Sequence, residues 1–376
     1  MPSRTAPPLI PAAVALLRVS TSPGGLDLPE DLGRPDADAA GWLALVWQRE
    51  EVRTAVAIAS PALARQVDAL VTAALPEAGQ ARRTARALTS YLLRWRGRAT
   101  PFGLFAGVGI ARVGGHARAS LGTWRAVARA DAAWLGDVTA RLHQCSELME
   151  RLPVVASDAI IVRGGRLVVP GHPSDSAAGD LAPVEVSVRC SPPVRAAVEA
   201  AREPVPLGKL ARQLRADFPD ATPAQVRVLL DGLITHGVLV SGLYAPMTCP
   251  DALGYVCARL REARAEEIPA VSGLASELAA IHQAIEPAAD GRVLLAVAAR
   301  MTALSQAAEM PLAVDAAVDC DVRIPGQVAR EARDAAIVLH QLSPVPVRAA
   351  RLDRLSRAVP RPVRGRRAGA RAGTGR

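Results

Sequence analysis

The sequence predicts an α+β fold, mixed helices and antiparallel strands with a winged-helix-like unit embedded near the middle. Three observations lead there. Apolar residues recur at helical spacing through several stretches of ten residues or more. Shorter apolar runs, some flanked by glycine pairs, read as strands. Between Pro183 and Leu243 the order is strand, three helices, strand, which is that of a winged helix-turn-helix. At 376 residues the chain has room for two or three modest domains, and with 50% hydrophobic and 22% charged residues it is globular in composition.

The elements follow in order. Ala12 to Ser20 reads as a strand. Ala37 to about Ala74 is helical in period, interrupted at Ser60-Pro61, a pair that starts helices. Arg82 to Arg98 is a basic helix, broken by Ala99-Thr100-Pro101-Phe102-Gly103, because proline disfavours helix in the residue before it. Leu104 to Val113 and Ala117 to Ala128 read as strands. Asp131 to Arg151 reads as one helix with Asp131 as its cap. Ile160 to Arg163 and Arg166 to Val169 form a hairpin around Gly164-Gly165. In the embedded unit, Pro183 to Arg189 is a strand, and Ser191 to Arg202, Pro206 to Asp217 and Thr222 to His236 are helices. Gly237 to Leu243 closes it. Helices are expected from about Asp251 to Ala265, Val271 to Ile285, Val293 to Met310 and Gln327 to Leu342, with a strand at Leu312 to Val322 before the last.

Charge and motifs exclude several functions. The net charge of +9 belongs to the tail: residues 345–376 hold ten arginines against one acid, Asp353, so the first 344 residues sum to zero. A broad footprint for a phosphate backbone is therefore absent, although a local arginine cluster remains open. The five cysteines form no C-x-x-C pair, against a zinc site or a disulfide framework. The six histidines lie far apart, and no metal site is expected. The N-terminus lacks the long apolar region of a signal peptide, and no stretch reaches the ~20 apolar residues of a membrane span. The chain reads as soluble and cytoplasmic. The lone lysine, Lys209, has no P-loop around it, and neither a dinucleotide fingerprint, a G-x-S-x-G elbow nor an H-E-x-x-H is present.

One constellation is unusual: Arg94-Trp95-Arg96-Gly97-Arg98-Ala99-Thr100-Pro101-Phe102-Gly103-Leu104-Phe105-Ala106-Gly107. Arg94 and Arg98 are four apart, so a helix persisting to Arg98 would project both from one face, near the Thr100 hydroxyl. Two guanidiniums and a hydroxyl on one edge suit a phosphate or carboxylate. The alternative is that these arginines are solvated and merely complement the dipole at a helix C-terminus.

This segment, extended to Val108, resembles the R-x-x-x-R-x-T-P-F-G-L-F-A-G-V signature of the lantibiotic dehydratases. Leu16-Leu17-Arg18-Val19-Ser20 is similar to that family's first strand, Arg129 to Leu135 to its R-x-D-x-x-W-L motif, and Pro311 to Asp315 to a later strand ending in aspartate. The spacing of Leu243 to Leu260 also matches. The likeness covers roughly residues 10–344. It implies an enzyme that glutamylates serine and threonine of a ribosomal precursor peptide. Glutamyl-tRNA is the co-substrate and no other cofactor is implied; a separate domain then eliminates glutamate. It implies catalytic roles for Arg94, Arg98, Thr100, Asp131 and Asp315 and substrate binding by Arg18; Arg96 is added as a neighbouring basic residue.

On this reading, residues 1–182 and 246–344 are parts of a glutamylation domain. Residues 183–245 are a winged-helix-like module that takes the precursor's leader as an added strand. Residues 345–376 are an arginine-rich tail, either disordered or out of the original reading frame; the abrupt change in composition favours the second. Because the family's chains continue beyond the last helix, the expectation is a truncated product, inactive alone. The alternative is a leader-binding module or one subunit of a split enzyme, paired with a C-terminal partner subunit or a second copy. A DNA-binding regulator is disfavoured, since the third helix of the module carries only Arg227 as a base. A further expectation is exposed apolar surface around Leu312 to Leu342.

Overall fold

The computed structural model describes residues 9–22, 38–170, 185–285 and 291–342. It has the α+β composition expected, and the chain divides into two units. The larger comprises Leu16–Gly109 and Leu121–Cys320; the smaller comprises Met1–Ala15, Ile110–Ser120 and Asp321–Arg376. Four strands form one sheet in the order β1 (Val14–Ser20), β2 (Ala106–Val113), β10 (Leu312–Ile324), β3 (Arg118–Ala130).

In the larger unit, the first helical stretch is three helices rather than two: α1 (Ala39–Trp47), α2 (Glu50–Ala59) and α3 (Pro61–Thr72). Asp38 caps α1 by accepting from the Gly41 amide at 2.9 Å, and Ser60 caps α3 ahead of its proline. The added break falls at Gln48–Arg49, where Arg49 is extended. It lets Leu43, Val46 and Trp47 of α1 and Val52, Ala55 and Val56 of α2 all be buried. The basic helix α4 (Ala78–Gly97) buries Ala81, Ala85, Leu88, Leu92 and Trp95, a three-to-four spacing that turns one stripe onto α1 and α3.

The single helix expected from Asp131 to Arg151 is instead α5 (Ala132–His143) and α6 (Ser146–Arg151). Then follow β4 (Pro153–Ala156), which the sequence reading missed, and the expected hairpin of β5 (Ile161–Arg163) and β6 (Arg166–Pro170). The embedded unit has its three helices, α7 (Pro192–Ala200), α8 (Leu207–Asp217) and α9 (Pro223–Thr235). Its strands do not close on each other. β7 (Glu185–Arg189) extends the hairpin in the order β5-β6-β7. β9 (Leu239–Ser241) pairs with β4, which also pairs with the two-residue β8 (Val205–Pro206). The middle strand of that sheet thus comes from residues 153–156, before the segment read as a module. Pro183, where the first strand was expected to start, lies outside the described residues.

Helices α10 (Ala252–Glu262), α11 (Pro269–Ile285) and α12 (Gly291–Leu304) complete the layer, and α12 ends short of the Met310 expected. His143, at the end of α5, lies against Tyr244 with ring centres 5.2 Å apart and planes tilted by 49°, and its Nε2 is buried without a hydrogen-bond partner. Burial holds its pKa down at about 4, below the usual 6.5. The unfolded chain then binds a proton that the folded one does not between those values. Stability should be constant above pH ~6.5 and fall by up to about 3 kcal/mol as pH drops towards 4. Urea midpoints at pH 7.5, 6 and 5 check this, and in His143→Gln that part of the slope should vanish.

In the smaller unit, Val113 donates to the Ala13 carbonyl at 2.9 Å and Gly114 to that of Ile324 at 2.8 Å. Helix α13 (Gly326–Leu342) lies beside an apolar groove of about 360 Å³, lined by Leu9, Ile10, Val113, Ile324, Val328 and Ala332 among others. None of its described side chains is buried: Val338 is 52% exposed, Leu339 68% and Leu342 73%. Of the stretch from Leu312 to Leu342 expected to expose apolar surface, α13 does so, whereas Leu312, Val314 and Ala316 of β10 are buried. Leu339→Lys with Leu342→Lys should change the melting free energy by no more than ~0.5 kcal/mol. Concentration-dependent light scattering should fall. A loss of several kcal/mol would mean that these side chains are packed in solution.

Candidate functional site

The segment around α4's end is rigid because aromatics fill it. Tyr91, Trp95, Phe102 and Phe105 are four of the chain's eleven aromatic residues and fall within fifteen positions. Phe105, fully buried, meets Trp95 edge-on at 4.9 Å and lies over Phe102 at 6.0 Å. Such pairs contribute about 1 kcal/mol each beyond their burial. The turn needs Gly103, whose φ of +52° is left-handed, and the Phe105 amide closes it onto the Phe102 carbonyl at 3.0 Å. Gly107 has a different reason: a Cβ there would stand 2.5 Å from the Ala316 carbonyl oxygen of β10.

Strand β1 is latched to this corner. The Trp95 indole donates to Thr21 Oγ1 at 2.7 Å, and Thr21 Oγ1 donates to the Leu104 carbonyl at 2.6 Å. Ser20 donates its hydroxyl to the Trp95 carbonyl, a free acceptor in the helix's last turn. Arg18 lies two residues before Ser20, hence on the same face of β1, the face turned to the end of α4. The sequence reading gave no role to Ser20 or Thr21. A lone hydroxyl at a strand end carries no signal until the partner carbonyl is known.

The arginines are not on one helical face as expected. The helix ends at Gly97, and Arg98 is extended, with φ −123° and ψ 117°, although its amide still reaches the Arg94 carbonyl at 2.8 Å. Arg94 lies with its guanidinium 4.5 Å from the Phe102 ring centre, and its Nε is buried with no hydrogen-bond partner. That contact holds the cation against a π face while leaving its hydrogen-bond donors unused by the protein. Arg18, Arg96, Arg98 and Thr100 are exposed, and no side-chain partner of theirs occurs among the described residues. Among the described residues, none of these guanidiniums meets a carboxylate.

The aspartates form a second group. Asp131 caps α5, accepting from Ala133 and Trp134 amides at 2.8 and 3.2 Å, and its own amide donates to the Pro311 carbonyl. Asp315 on β10 pairs with Arg129 on β3, both about half exposed. Arg129 stood inside a quoted motif but was not singled out, and its pairing with a residue 186 positions away had no local signal. Arg18 sits on β1 and Asp315 on β10, with β2 between them, so their backbones are at least ~9 Å apart. Long side chains and a bound substrate can span that interval; direct contact is not made.

No helix among the described residues is long and apolar enough to cross a membrane.

Comparison with known proteins supplies the frame. A family model described as lantibiotic dehydratase, N terminus, matches residues 48–358. Subtilin biosynthesis protein SpaB of Bacillus subtilis is 27% identical over 186 residues, 49% of this chain and 17% of its own length. The crystal structure of the tRNA dependent lantibiotic dehydratase MibB from Microbispora sp. 107891 superposes with a TM-score of 0.72 at 29% identity, over 92% of this chain and 33% of that one. The glutamylation domain of TbtB, from thiomuracin biosynthesis, shares the fold at a TM-score of 0.54 and 20% identity, over 81% of this chain and 37% of that one. The chain thus spans about a third of the solved chains it matches, and less of the curated one. By the extent of the family match, more than half its length, this chain belongs to the lantibiotic dehydratase N-terminal family.

Proposed function

We propose that this chain contributes the N-terminal part of a glutamylation site that esterifies serine or threonine of a ribosomal precursor peptide from glutamyl-tRNA. The observation that carries the reading is the end of α4, where Arg94 lies against Phe102 with its Nε unused, the exposed Arg98 and Thr100 follow directly in the chain, and β1, which carries Arg18, is latched through Ser20 and Thr21. Guanidiniums so placed suit the phosphates near an acceptor end and can stabilise charge that develops as an ester exchanges its alcohol. In that step the peptide hydroxyl attacks the glutamyl carbonyl, the new ester bond forms, and the ribose hydroxyl leaves with the proton. Asp315, held by Arg129, and the capping Asp131 are the carboxylates that this reading assigns to taking or orienting protons.

A second reading, leader binding without chemistry, is favoured by β7. It is the last strand in the order β5-β6-β7, so among the described residues one of its edges has no paired strand and could take an added one. Both readings leave room for a partner subunit or a second copy.

The test is transfer of radiolabelled glutamate from glutamyl-tRNA to the peptide encoded beside the gene. It is run with this chain alone and with a second polypeptide equivalent to the rest of the MibB-like chain. Glutamyl ester on the peptide in either mixture supports the enzyme reading. Peptide binding without transfer in both leaves the leader-binding reading in its place.

A further inference from the structure

Strand β1 carries Arg18, yet its own side chains do little to hold it in place. None of the residues from Val14 to Ser20 is buried, and Leu16 is 71% exposed. The strand stands first in the order β1-β2-β10-β3, so among the described residues only β2 pairs with it. A strand that buries no side chain gains little from apolar packing, and its position rests on hydrogen bonds.

Two hydroxyls at the end of β1 supply such bonds to the corner. Thr21 Oγ1 accepts from the Trp95 indole at 2.7 Å and donates to the Leu104 carbonyl at 2.6 Å, while the Thr21 amide donates to the Phe105 carbonyl at 3.2 Å. Ser20 Oγ accepts from the Ser22 amide at 3.1 Å and donates to the Trp95 carbonyl. The carbonyl one residue earlier, that of Arg94, is taken by the Arg98 amide at 2.8 Å. The turn that seats Arg94 and Arg98 is thus tied, through the adjacent peptide group, to the strand that carries Arg18 on the face of Ser20. Trp95, Leu104 and Phe105, the anchors of the tie, are all buried, whereas Arg18 and Arg98 are exposed.

We propose that Thr21, assisted by Ser20, is a positioning residue that fixes Arg18 relative to Arg94 and Arg98. This rests on the glutamyl-transfer reading and adds to it the device that aligns two separate elements of the site. Guanidiniums on different elements hold one anion only while their spacing is right, and a displacement of about 1 Å can cost ~100-fold in rate. The place calls for a hydroxyl because the indole must find an acceptor and the Leu104 carbonyl a donor on the same atom. Valine has the shape and neither function; serine keeps both.

A double-mutant cycle on the rate of glutamyl transfer in the reconstituted mixture decides the matter. It compares the unmodified chain, Thr21→Val, Arg18→Gln and the pair, with Thr21→Ser as the conservative variant and melting curves to show that each is folded at the assay temperature. Thr21→Val is expected to lower the rate roughly tenfold to a hundredfold. Thr21→Ser should restore most of it, and Arg18→Gln should cost far less in the Thr21→Val chain than in the unmodified one. If Arg18→Gln costs the same factor in both chains, Thr21 is a structural tie and the proposal is overturned. An unchanged rate for Thr21→Val overturns it too, with the transfer reading left standing. Absence of transfer from the unmodified chain in every mixture removes that reading and the positioning role with it. Should Thr21→Val fail to fold, Ser20→Ala replaces it in the cycle, since it leaves the indole bond in place.

Discussion

Replacing Arg98 with alanine is expected to lower glutamyl transfer about 100-fold or more in the reconstituted reaction, with no measurable change in melting temperature. The two halves have separate physical reasons. Arg98 is exposed and extended, and its side chain has no partner among the described residues, so the fold does not depend on it. Its cost appears only when an anion must be held at the end of α4. Arg98→Lys keeps the charge but loses the planar fork, and should recover a part of the rate. Arg94→Ala should differ, because its guanidinium lies over Phe102: both transfer and stability fall. Equal rates for Arg98→Ala and the unmodified chain would remove the corner as the reacting site.

Trp134→Ala should have the largest effect on folding, about 4–6 kcal/mol. Trp134 is fully buried, its indole donates to the Met301 carbonyl at 2.8 Å, and its amide is one of the two that Asp131 caps. Deleting the side chain leaves a cavity and takes one of two hydrogen bonds from the Met301 carbonyl, the other coming from the Ser305 amide at 3.0 Å. Against a typical total of ~5–15 kcal/mol, such a loss leaves little. Trp134→Phe removes the hydrogen bond and less volume, and should cost about 2 kcal/mol. Urea midpoints for the three chains test this; an unchanged midpoint for alanine would mean that α5 is not seated as described. Because Asp131 starts the same helix, part of the value of an R-x-D-x-x-W-L segment is structural.

Much of the site was legible because its pieces are local. The run from Arg94 to Gly107 carries its own turn chemistry, and proline and glycine stop the helix where chain sterics require. Asp131 announced itself as a cap by standing directly before a helical period. Other parts had no such signature. The break at Gln48–Arg49 depends on where the core lies, not on a breaker residue. The pairing of β4 with both β8 and β9 joins segments about fifty and about eighty-five residues apart, and four residues of strand give too short a period to detect.

The sequence by itself determined the helices and strands with strong periods, the corner at Thr100–Gly103, the charge of α4 and the family. These rest on interactions among neighbours a few residues apart, which the order of residues displays directly. Tertiary structure decided which residues meet. It laid Arg94 on Phe102, set Ser20 and Thr21 against the end of α4, paired Asp315 with Arg129, and left the Arg98 backbone extended. Those contacts span up to 186 residues of sequence, and their geometry follows from packing that no local propensity encodes.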